Sequence, residues 1–141
     1  MGRPDSLPLG FTVWIEVRPR TTVAEQNAFM RRLQDHAEAQ DLLLAGGPLC
    51  ALVYSEDRSL TATDQVNLLD WLIDDPVVRA VAISPLSPRR EGAGPREAGF
   101  LQVRATDLSL IGLTLLYRSR SLPAETYLQI LGGFVRPATV H

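Results

Sequence analysis

The chain has 141 residues, 45% of them apolar and 21% charged, a balance that excludes a disordered or fibrous chain and fits one globular unit. Its 14 basic residues, every one an arginine, face 16 acidic ones for a formal charge of −2, too little to draw in nucleic acid or membrane by net charge alone. The lone cysteine, Cys50, sits in an apolar run, which excludes an internal disulfide and predicts a buried thiol.

Residues 1–8 form a polar lead-in with Pro4 and Pro8 and no basic segment running into an apolar one, so the expected location is the cytoplasm. Residues 11–17 alternate Phe11, Val13, Ile15 and Val17 with Thr12, Trp14 and Glu16, the period of a half-buried strand. Thr22 with Glu25 three positions on is a capping box, so a helix begins near Val23, with Phe29, Met30, Leu33 and Ala37 on its buried side. Two apolar runs, 42–45 and 49–54, flank Gly46-Gly47-Pro48 and predict a hairpin. Thr61 and Asp64 repeat the capping logic for a second helix carrying Val66, Leu69, Leu72 and Ile73, which stops before Pro76. Val77, Val78, Val81 and Ile83 then supply a β-rich segment ending at Pro85.

The element order β-α-β-β-α-β predicts an α+β, ferredoxin-like domain over residues 1–86: a four-stranded antiparallel sheet with two helices on one face. Residues 87–99, rich in Pro, Gly and Arg, read as an exposed connector. A C-terminal extension follows over 100–141, with strands expected at 101–104 and 108–117 and a short helix over 123–131 that closes at Gly132-Gly133. The longest apolar stretch, 108–117, is about half of what a bilayer span needs, so no membrane partner is expected.

One ordered set of residues carries a family likeness: Leu9-Gly10-Phe11-Thr12-Val13, Leu44-Ala45-Gly46-Gly47, Leu60-Thr61 with Asp64, Trp71-Leu72, then Val78, Val81 and Ser84-Pro85-Leu86. Over about residues 9–86 the chain resembles the YggL-type family of small proteobacterial proteins, whose name records binding to the large ribosomal subunit. The resemblance implies a noncatalytic protein associated with that subunit, through rRNA or a ribosomal protein. Family members open with an Arg/Lys-rich arm and end soon after the fourth strand; here Arg3 stands alone before the first strand and the chain runs on past residue 86.

The residues themselves point to recognition and to no catalytic, cofactor or metal set. His36, near Asp35 and Glu38, is the one internal candidate for a general base, and its spacing fits a solvated helix face better. One internal histidine, one cysteine and scattered carboxylates lack the convergence a metal needs, and Asp74-Asp75 before Pro76 reads as a turn. Gly46-Gly47-Pro48 lacks the Lys-Ser/Thr and the helix start of a phosphate loop. The charge divides unevenly, −5 over residues 1–84 and +3 over 85–141. Nucleic-acid contact is therefore expected from Arg89, Arg90, Arg96 and Arg104, with Arg118, Arg120, Phe100 and Tyr117 extending the patch. Trp14 and Tyr54 fall on the sheet face expected to be uncovered, where aromatics stack on a base or seal a homodimer. The rival functions are a dimeric ferredoxin-like module binding a small molecule, and a small dimeric enzyme using His36.

Overall fold

A computed structural model describes residues 8–47, 49–88 and 101–134. The elements in chain order are β1 (Leu9–Val17), α1 (Val23–Ala39), β2 (Leu43–Gly46), β3 (Cys50–Tyr54), α2 (Ala62–Ile73), β4 (Val78–Ile83), β5 (Ser87–Pro88), β6 (Leu101–Arg104), α3 (Leu108–Arg118) and α4 (Ala124–Phe134).

Local chemistry sets the helix ends. Thr22 Oγ1 accepts from the Glu25 N–H at 3.0 Å and Glu25 Oε1 accepts from the Thr22 N–H at 2.9 Å, closing the capping box that starts α1. At α2 only the reciprocal half of the box has that geometry: Asp64 Oδ2 accepts from the Thr61 N–H at 2.8 Å, and the Thr61 hydroxyl donates to the same carboxylate at 3.2 Å. Arg58 grips Asp64 with two bonds of 2.8 and 2.9 Å. Helix α1 ends in a Schellman motif, with the Leu42 N–H donating to Ala37 O at 2.8 Å and Asp41 in the left-handed region at φ 60°. Substituting Thr22→Ala is expected to cost roughly 1 kcal/mol, read as a lower urea midpoint with an unchanged slope.

The sheet has six strands in a path β2-β3-β1-β4-β6, with β5 paired off the start of β1, and every pair is antiparallel. Alternation in β1 turns Phe11, Val13 and Ile15 into the core. Helices α1 and α2 cover that face with Phe29, Leu33, Ala37, Val66, Leu69 and Leu72. Gly10 is required by close approach, since a Cβ there would meet Val53 O at 2.6 Å. Gly46, at φ 125°, makes the hairpin reversal.

The expectation of four strands and two helices falls short of this α+β architecture. Strand β6 extends the sheet beyond β4, Ser87 and Pro88 pair with Gly10 and Leu9, and α3 and α4 add to the helical layer over α2. Residues 101–104 form the expected strand, whereas 108–117, expected as a strand, is the helix α3. Leu110, Leu113 and Thr114 face the interior while Ile111, Leu115 and Leu116 stay exposed, so apolar residues on both sides hid the helical period. Helix α4 also runs through Gly132 and Gly133 to Phe134 and does not close at them. Val103, Leu110, Leu113, Tyr127 and Leu131 belong to the same continuous apolar core as Phe11 and Leu69. No described helix is long and apolar enough to cross a membrane.

Candidate nucleic-acid interface

Strand register gathers arginines that lie far apart in the chain. Val17 pairs with Val78, Glu16 with Ala80, and Ala80 in turn with Arg104. Beyond the last pairs, the Arg18 N–H donates to Val77 O and the Ala105 N–H to Arg79 O, each at 2.9 Å. The end of β1, the start of β4 and the end of β6 therefore meet at one end of the sheet, presenting exposed Arg18, Arg20, Arg79 and Arg104. Arg79 is engaged with Glu16 at 3.4 Å; Arg18, Arg20 and Arg104 have no acidic partner among the described residues. Arg20 occupies the third position of a turn over residues 18–21, at φ 70°, closed by the Thr21 N–H and hydroxyl on Arg18 O. A glycine would sit there without strain, so an arginine held there is a feature to be accounted for.

The same registers define the sheet face turned away from α1 and α2. Directly paired residues share a face, so Trp14, Cys50, Ala82 and Gln102 form one row, and Glu16, Ala80 and Arg104 the next. Ala80 and Ala82 carry only methyl groups, which leaves a hollow of about 100 Å³ between Trp14, Glu16 and Gln102. Trp14 walls it with 37% of its surface exposed. The row of Trp14 lies about 7 Å along the strand from the row of Arg104, close to the separation of a base from its neighbouring phosphates. An indole face, an amide that both donates and accepts, and unpaired guanidinium groups are what stacking and phosphate contact with single-stranded RNA require. Burial pushes the Cys50 thiol, in the same row, above its ordinary value and leaves it a weak nucleophile.

Of the arginines expected from sequence, Arg104 lies in this cluster, and Arg89, Arg90 and Arg96 lie outside the described residues, as does Phe100. Arg118 does not join it: its guanidinium is committed to Asp70 and to Asp74, at 2.8 Å for the latter, and their carboxylates hold it protonated far above the ordinary arginine value. Tyr117 is turned inward, donating its hydroxyl to Asn67 Oδ1 at 2.7 Å. Arg18, Arg20 and Arg79 were not candidates in the sequence, because only the β1–β4–β6 pairing brings them to Arg104.

A second cleft, of about 730 Å³, runs between α1, α2 and the end of α3. His36 lies flat on Trp71, ring centroids 4.7 Å apart and planes 13° apart, and its Nε2 is buried without a hydrogen-bond partner. Desolvation lowers its pKa. The charges around it are engaged with one another: Arg32 binds buried Asp75 through two bonds of 3.0 and 2.9 Å, and Arg118 is shared by Asp70 and Asp74. His36 thus serves the packing of α1 on α2, and Asp75 anchors a helix end where the sequence suggested a solvated turn. Because the unfolded chain holds the His36 proton more tightly than the folded one, this contribution to stability is complete above the ordinary value of 6.5 and is lost as the pH falls below it. Urea midpoints measured from neutral to mildly acidic pH should therefore fall, and His36→Phe should flatten that slope.

Among the described residues no three His, Cys, Asp or Glu side chains are placed to hold a metal ion. No family model, curated protein or solved structure matches the chain.

Proposed function

We propose that this chain is a YggL-like, noncatalytic recognition module that associates with the large ribosomal subunit by gripping exposed single-stranded rRNA. The observation that carries the reading is Trp14 and Arg104 on the face that α1 and α2 leave open, with Arg18 and Arg20 at the adjoining end of the sheet, all three arginines without an acidic partner among the described residues. The cluster offers phosphate contacts from the turn after β1 and the end of β6, the kind of contact that the basic arm of the family would make. The residues of the resemblance have coherent structural duties that favour it: Gly10 allows the β1–β3 approach, Gly46 turns the hairpin, Thr61 opens α2 and Trp71 stacks on His36. A ferredoxin-like reading of residues 9–83 is supported by the order β2-β3-β1-β4 with α1 and α2 on one side, to which β6 is an addition at the β4 edge.

The test is co-sedimentation with large subunits through sucrose gradients at low and at raised salt. Comigration at low salt that is lost as salt rises is expected. A chain that stays at the top of the low-salt gradient while sedimenting alone as a dimer dependent on Trp14 would assign the open face to a second copy instead.

A further inference from the structure

We propose that the cleft between α1 and the β2–β3 hairpin is a binding site for an amphipathic monocarboxylate of medium chain length, independent of the RNA surface. The cleft holds about 540 Å³, within the roughly 300–1,000 Å³ of small-molecule sites. It exists because the hairpin side is built from small residues. Gly46 and Ala51 face α1 where larger side chains would fill the space, and at Gly46 a Cβ would meet Cys50 O at 2.8 Å, so the gap cannot be closed from there. What remains is an apolar floor of Ile15, Leu33, Leu44 and Ala51 with Met30 as a wall, a surface that gains by taking up hydrocarbon in place of water.

The mouth is polar and of one sign. Asn27, Arg31 and Gln34 line it from α1 at positions i, i+4 and i+7, so they share one stripe of the helix. Among the described residues Arg31 makes no ion pair and no acidic side chain lines the cleft. An apolar body inside, a carboxylate across the Arg31 guanidinium and amide donors a turn to either side complete the hydrogen bonds that the stripe leaves open. A cationic head would meet Arg31 with like charge, and an uncharged one would leave it unpaired.

Met30 is a specific reporter, since the only other methionine is Met1. The full-length chain, labelled on the methionine methyl carbons, is titrated with decanoate, decanol and decyltrimethylammonium, alongside the Arg31→Gln variant, whose exposed site leaves folding intact. Decanoate should shift the Met30 methyl resonance saturably and more tightly than the other two. Arg31→Gln should weaken decanoate roughly tenfold and leave decanol unchanged. A Met30 resonance that decanoate does not move, or an affinity for decanoate equal in parent and variant, would overturn the assignment.

Discussion

Exchanging Arg18, Arg20 and Arg104 together for glutamine should remove large-subunit association at moderate salt and reduce the slope of log affinity against log salt by about 2, the release expected from three single-strand phosphate contacts. All three side chains are exposed and without an acidic partner among the described residues, so the unfolding midpoint should hold or rise. Trp14→Ala probes the other half of the surface. Loss of one stacked base costs about 1–3 kcal/mol, a drop of one to two orders of magnitude with the salt slope unchanged. The pair of variants separates phosphate contact from stacking, and if both bind like the parent the RNA reading fails. Arg20 adds a sharper expectation, because its φ of 70° costs an L-residue about 1 kcal/mol that glycine avoids. Arg20→Gly should thus gain stability while losing affinity.

Tyr127→Ala should destabilise the entire chain by about 3–5 kcal/mol, a large share of the roughly 5–15 kcal/mol that holds a domain together. Tyr127 is fully buried, meets Tyr117 edge to face at 5.8 Å, and has its hydroxyl 3.0 Å from Thr114 Oγ1. Truncation leaves a cavity in the core that joins α4 to α2. Thr114 still donates to Leu110 O at 2.8 Å, so the loss is chiefly packing. Both tryptophans, Trp14 and Trp71, lie outside the extension, and their fluorescence tells whether the effect crosses into the first half. The transition they report should shift with the variant; if it stays in place, residues 101–134 are an independent appendage.

What could be read from sequence was what neighbours decide. The Thr22–Glu25 box, the Gly46 reversal and the alternation of β1 are local, and their residues carry the signal within a few positions. Residues 101–104 were legible for the same reason. Helix α3 was not, because an apolar stretch exposed on one side and buried on the other has no contrast from which to take a period. The arginine cluster was hidden for a different cause: Arg18 and Arg104 are brought together by β4, which pairs with both of their strands, and no local rule reports a register between distant segments. The expectation that Arg118 would be free for nucleic acid failed because Asp70 on α2 and Asp74 at its C-cap, four residues on, both bind the arginine at the end of α3.

The pairing of β6 with β4 also bears on how the chain meets other copies of itself. Without residues 101–104, β4 would become the outermost strand, carrying Val78, Ala80, Val81, Ala82 and Ile83 with one row of backbone donors and acceptors unused. Such an apolar rim invites intermolecular strand addition. β6 occupies it with Gln102 and Arg104 exposed, so removing residues 101–134 should turn β4 into a free apolar edge and raise self-association, measured by light scattering.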